Sequence, residues 1–121
     1  MELGKLEIYT LSLELSEIVW DIFNKLPKQL QFNIGDQVLR SIDSIGANIA
    51  EGYGRFHYKD SIKFYYNARG SLWESKHWFY LLYKRELIPK ALFNQSITLL
   101  NQLGKKLNGF IQSIKTKHSG D

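Results

Sequence analysis

The sequence predicts an all-α fold: an antiparallel, up-down-up-down four-helix bundle that assembles as a homo-oligomer. Three observations predict it. Apolar residues recur at spacings of three and four along most of the chain, the stripe of a helix buried on one face. Pro27, Pro89 and the close pair Gly52 and Gly54 cut that pattern into four segments with short connections. The third segment is apolar over more than half its circumference, and a chain of 121 residues cannot bury such a helix with its own elements alone.

The first helix is expected over about residues 6–26. Ile8, Leu11, Leu15, Ile18 and Ile22 form its stripe, and Val19, Phe23 and Leu26 widen it. Glu7, Glu14 and Asp21 recur every seventh residue on another face, where they should be solvated or meet basic neighbours. Pro27 ends the helix, and Lys28 to Phe32 reads as a short connection.

The second helix is expected over about residues 34–54. Asn33 is its candidate N-cap, with Asp36 at the positive helix end. Ile34, Val38, Ile42, Ile45, Ile49 and Phe56 form its apolar line, and Gly54 is the expected left-handed stop. The third helix is expected over about residues 58–87, with His57 as N-cap. Tyr65, Leu72, Phe79, Leu82 and Tyr83 point one way. Phe64 and Trp78 flank them on one side, Ile62, Tyr66, Trp73 and Tyr80 on the other. This breadth assigns Tyr66, Trp73, Trp78 and Tyr80 to an oligomer interface.

After the break at Ile88-Pro89, the fourth helix is expected over about residues 90–115. Phe93, Ile97, Leu100, Leu107, Ile111 and Ile114 make its stripe, with Leu99, Leu103 and Phe110 beside it. Residues 116–121 form a polar tail, and residues 1–121 make one domain.

Composition narrows function. The chain has no cysteine, which removes disulfides and thiolate metal sites and suits the cytoplasm. No apolar run approaches the ~20 residues needed to span a bilayer, so no membrane role is expected. Net charge is +4 but unevenly placed. Residues 1–24 hold five acids against Lys5 alone, and residues 90–117 hold five lysines and no acid. That excess is either a solvated helix face or a surface for a polyanion. For the second reading the candidate nucleic-acid-binding residues are Lys105, Lys106, Lys115 and Lys117, followed by Arg40, Lys59 and Lys63.

No catalytic or metal site can be assembled. Glu74 and His77 have the Glu-x-x-His spacing of di-iron bundles, but His57 and His118 lack the glutamate that a second motif needs. No phosphate-cradling glycine loop is present. The chain reads as a non-enzyme without cofactor.

Small and charged residues concentrate in two central segments. Gly46, Ala47, Ala50 and Gly54, then Ala68, Ser71 and Ser75, suggest a close crossing of the second and third helices. A helical glycine costs about 1 kcal/mol relative to alanine, so Gly46 and Gly70 call for a packing reason. Asn48, Glu51, Arg55, Arg69 and Glu74 form either a structural polar network around a buried Arg69 or, without Glu74, a ligand or nucleic-acid site.

The run Ser44-Ile45-Gly46-Ala47-Asn48-Ile49-Ala50-Glu51-Gly52-Tyr53-Gly54-Arg55, then Phe64 and Ala68-Arg69-Gly70-Ser71-Leu72-x-Glu74, closely resembles the bacterial four-helix-bundle family. This is also the 23S rRNA intervening-sequence protein family, related to the accessory variability protein of diversity-generating retroelements. The resemblance covers nearly the whole chain. It implies a bundle that assembles into a barrel-like homopentamer. It further implies nucleic-acid binding and association with a reverse transcriptase, as in the retroelement members. Two functions follow as expectations. One is a non-catalytic oligomeric scaffold that binds RNA or DNA through a basic surface. The other is a protein-interaction module, such as a reverse-transcriptase accessory subunit, that uses the aromatic third helix.

Overall fold

The computed structural model describes residues 2–118, and all of their regular structure is helical. A short 3₁₀ turn, Leu3–Lys5, precedes four long helices: α1 (Glu7–Lys25), α2 (Asp36–Tyr53), α3 (Tyr58–Lys84) and α4 (Lys90–Lys117).

Each helix buries one stripe. Ile8, Leu15, Val19 and Ile22 come from α1, and Val38, Ile42, Ile45 and Ile49 from α2. Tyr65, Leu72, Phe79 and Leu82 come from α3, and Leu100, Leu103, Leu107 and Ile111 from α4. Burying a side chain of this size contributes about 1.5–3 kcal/mol, so these stripes hold the fold together.

Serines complete the inner layer: Ser12, Ser41, Ser61, Ser75 and Ser96 are all buried. Ser12, Ser41 and Ser61 each donate to the carbonyl three residues back, at 2.6, 3.1 and 2.9 Å. Ser75 Oγ lies 2.9 Å from both the Ser71 carbonyl and Ser41 Oγ of α2, and its single proton serves one at a time. Ser96 Oγ has no hydrogen-bond partner among the described residues. Short hydroxyl side chains bonded to their own helix let the backbones approach without an unsatisfied polar group.

Helices adjacent in sequence are adjacent in space. α2 packs most extensively on α3 and next on α1, α3 packs on α4, and α1 closes on α4. Gly52 lies beside Ser61, Ser75 beside Ser41, Tyr58 beside His118 and Tyr83 beside Phe93.

The structure differs from the sequence expectations at the helix ends. The segment expected as a plain connection is itself helical: a turn at Lys28–Leu30 runs into a wide π-type turn at Gln31–Gly35. The backbone kinks at Asn33 (φ −118°, ψ −107°), so Asn33 marks the kink and does not cap α2. Gly54 has φ −80° and is not a left-handed stop. The left-handed residue is Glu86, at φ 59°. It ends α3 at Lys84, short of residue 87, through Leu87 N–H to the Leu82 carbonyl (2.9 Å) and Glu86 N–H to the Tyr83 carbonyl (3.0 Å). Phe56 does not continue the apolar line of α2, because that helix ends at Tyr53 and Phe56 is 95% exposed. α4 continues through Thr116 and Lys117, which were expected in the polar tail. Residues 119–121 of that tail lie outside the described residues.

Candidate nucleic-acid interface

The bundle is electrically polarised. α1 and α2 together carry seven acidic residues against two basic ones, whereas α3 and α4 carry ten basic against two acidic. Among the described residues, one ion pair joins the two pairs of helices, Lys106 Nζ to Glu7 Oε1 at 2.9 Å. The pairs Asp21–Lys25 (3.0 Å), Asp36–Arg40 (2.9 Å) and Glu51–Arg55 (3.3 Å) are local, each spanning four residues. They occupy cations of the acidic side and of the α2–α3 connection and leave the lysines of α3 and α4 almost untouched.

Four of those nine lysines meet at one end of the bundle, whereas Lys84 and Lys90 lie at the other. The Tyr58 ring stacks on His118 with centroids 4.4 Å apart, and Lys115 Nζ donates to the Tyr66 hydroxyl at 2.9 Å. The start of α3 therefore lies beside the end of α4. This gathers Lys59, Lys63, Lys115 and Lys117, all exposed, with Arg55 from the preceding connection. Lys59, Lys63 and Lys117 form no ion pair with another described residue. The Lys115 hydrogen bond lowers the pKa of the Tyr66 hydroxyl from its ordinary value; desolvation opposes it, and the Lys115 and Arg69 charges add smaller lowering effects.

The other expected lysines lie elsewhere. Lys105 and Lys106 sit about three turns back along α4, ~17 Å from Lys117, and Glu7 draws Lys106 toward α1. Arg40 is near the start of α2, bound to Asp36 and away from the cluster. Arg55, Phe56 and His57 were not read as part of a basic end. Nothing in linear order signals that end, because its two halves are more than fifty residues apart.

The expected polar network does not form. Asn48 Nδ2 donates to the Ser44 carbonyl at 2.8 Å, inside its own helix. Glu51 pairs with Arg55, and Glu74 accepts from Trp78 Nε1 at 3.1 Å. Arg69 points toward α4, donating to Asn108 Oδ1 at 3.2 Å while its guanidinium lies 4.7 Å from the Tyr66 ring centre. It is only half-buried, so an amide, a ring face and water suffice where a buried guanidinium would demand an acid. The ligand site imagined from Asn48, Glu51, Arg55 and Arg69 is not assembled for the same reason.

The glycines also act differently from expectation. A β-carbon on Gly46 would meet Ser12 Oγ of α1 at 2.9 Å, so Gly46 admits α1, not α3. Gly52 makes the close approach to α3, and Gly70 faces open space with nothing within 4 Å. Beside Gly70, Trp73 and Tyr80 are 63% and 56% exposed on the outer face of α3, whereas Tyr66 and Trp78 are half-buried. Lys76 Nζ sits 4.2 Å from the Trp73 ring centre. On the acidic side, a groove between α1 and α2 is lined by Leu13, Ser16, Asp43, Gly46, Ala47 and Ala50.

Among the described residues, no three of His, Cys, Asp and Glu are grouped to hold a metal ion, and no helix is long and apolar enough to cross a membrane.

The family model described as 23S rRNA-intervening sequence protein matches residues 4–109, which takes in α1, α2, α3 and most of α4. The chain belongs to that family. A crystal structure of a protein of unknown function, from the S23 ribosomal protein family of Bacteroides thetaiotaomicron, is similar with a TM-score of 0.80 and 27% identity. The similarity covers 86% of this chain and 97% of that one. No curated protein matches the chain. Within this intervening-sequence protein, Lys59 and Lys63 fall inside the matched span, whereas Lys115 and Lys117 lie beyond it.

Proposed function

We propose that this intervening-sequence protein is a non-catalytic, oligomeric scaffold that binds RNA or DNA through the basic end of a single-domain bundle. The observation that carries the reading is the convergence of Lys59, Lys63, Lys115, Lys117 and Arg55 on one end, where they outnumber the acids Glu51 and Asp60 and where Lys59, Lys63 and Lys117 form no ion pair with another described residue. Exposed lysines held on stable helices act as point charges for phosphates, and each contact made releases counterions. The expected setting is the cytoplasm.

The topology proposed is up-down-up-down. Pairing of Gly52 with Ser61, Ser41 with Ser75, and Tyr58 with His118 supports opposite directions for α2 and α3 and for α3 and α4. Self-association is supported by the outer face of α3. Trp73 and Tyr80 are exposed there beside Gly70, whose β-carbon position has no described atom of another element within 4 Å. The acidic α1–α2 side of a second copy complements the basic charge of that face. The number of copies proposed is five, as the family resemblance implies.

Affinity for mixed-sequence RNA, single-stranded and duplex, measured across a salt series, tests the reading. Binding that weakens log-linearly with salt is expected; undetectable binding of both at low salt, or binding indifferent to salt, overturns it. The exposure of Trp73 and Tyr80 also favours a second reading, a module that docks another protein such as a reverse transcriptase. Light scattering separates the two uses of that face, because a monomer at micromolar concentration leaves it free for a different protein.

A further inference from the structure

We infer that Phe56 is a stacking platform for an unpaired nucleobase, so that the basic end takes single-stranded nucleic acid in preference to a closed duplex. This rests on the nucleic-acid reading above and adds the class of strand and the residue that selects it.

Phe56 lies in the short connection between α2 and α3, at the basic end. It is 95% exposed, and no core position claims its ring. Its aromatic contact is with the His57 ring, edge to face at 5.1 Å and 89°. The four-residue connection from Gly54 to His57 is closed by Arg55 N–H on the Gly52 carbonyl and by the first turn of α3 on the His57 carbonyl, which fixes where the Phe56 backbone presents its ring. The adjoining rings are already engaged, Tyr58 with His118 and Phe64 with the Arg55 guanidinium at 4.7 Å.

The surroundings say what would cover this ring. Arg55 precedes it, Lys59 and Lys63 follow on the first turns of α3 with Asp60 between them, and Lys117 is on the last turn of α4, so cations outnumber acids here. Glu51 holds Arg55, whereas Lys59, Lys63 and Lys117 are free of described ion pairs. A polyanion satisfies the lysines, and an aromatic surface on that polyanion satisfies the ring. Single-stranded nucleic acid offers both, since an unpaired base exposes a π-face that stacks on aromatic side chains regardless of sequence. In a duplex those faces are covered by neighbouring base pairs. An anionic lipid surface also attracts lysines around a phenylalanine, but stable attachment there needs an apolar helix face, and this tip offers one apolar side chain.

The test compares wild type, Phe56→Ala, Phe56→Trp and Lys59→Glu/Lys63→Glu by fluorescence anisotropy. The probes are a short oligouridylate, a blunt RNA duplex of equal length, and phosphatidylserine vesicles. Circular dichroism establishes that Phe56→Ala melts as wild type does. Phe56→Ala is expected to weaken oligouridylate binding by about fivefold or more, and duplex binding by no more than about twofold. Phe56→Trp is expected to keep the affinity, with its indole fluorescence quenched on binding, and the double charge reversal to weaken both RNAs. Equal oligouridylate affinity for Phe56→Ala and wild type overturns the stacking role while the cationic reading stands. Binding of neither RNA by wild type overturns both. Phe56-dependent binding to the vesicles without binding to oligouridylate overturns the inference in favour of a lipid surface.

Discussion

A β-carbon added to Gly52 of α2 would lie 3.0 Å from the carbonyl oxygen of Ser61 in α3, and 2.8 Å from the edge of the Tyr65 ring. A carbonyl in a helix cannot rotate away, so the two helices would have to separate. Gly52→Ala is expected to lower stability by about 1–3 kcal/mol, since overpacking outweighs the ~1 kcal/mol gained in helix propensity. Gly46→Ala should cost less than Gly52→Ala, because the atom it meets is the Ser12 hydroxyl, which can turn aside by giving up its bond to the Tyr9 carbonyl. Urea denaturation of the two variants checks the contrast; equal midpoints would contradict it.

Gly70 is the counterpart. No atom outside its own helix lies within 4 Å of the place where a β-carbon would stand. Gly70→Ala should therefore raise the stability of the dissociated chain by about 0.5–1 kcal/mol. If another copy packs against this face, the same substitution weakens assembly. Thermal melting of dilute protein, paired with light scattering of concentrated protein, should show the two effects with opposite signs.

Glu86 adopts φ 59° at the residue where α3 turns out of its helix. Left-handed backbone costs an ordinary L-residue about 1 kcal/mol and glycine almost nothing. Glu86→Gly is expected to stabilise the fold by roughly that amount. A lower melting temperature would show that the Glu86 side chain matters more than its backbone.

Tyr65 gives a pH dependence. Burial, aided by the neighbouring Tyr53, pushes its hydroxyl up from 10.0 to about 12. The folded state therefore holds the proton more tightly than the unfolded state does. The associated stability is complete below pH 10 and is lost as pH rises toward about 12. Its size is on the order of 2 kcal/mol. Comparing wild type with Tyr65→Phe isolates it, since the two proteins differ only in that hydroxyl. The phenylalanine variant should lose less stability between those limits; identical alkaline loss would contradict the assignment.

The four helices were legible because Ile8, Val38, Leu72 and Leu107 each belong to a repeat of three and four that only a half-buried helix produces. What was misread has two physical sources. A helical wheel gives the direction of Arg69 around α3 but not which helix stands there, and α4 stands there with Asn108. Phe56 was extrapolated along a stripe beyond the last residue of its helix. The basic end was illegible as a site because Lys59 and Lys117 meet only once α3 and α4 are laid side by side.

The decisive measurement compares two triple charge reversals that change net charge equally at opposite ends of the bundle. One is Lys59→Glu/Lys63→Glu/Lys117→Glu, and the other is Lys25→Glu/Lys28→Glu/Arg40→Glu. Single-stranded RNA affinity of each is measured across salt. Binding at the end formed by α3 and α4 predicts that the first variant loses about tenfold or more and that its log–log salt slope shrinks by about 2. The second should stay close to wild type. Equal losses in both variants, or no loss in the first, would contradict a nucleic-acid site at that end.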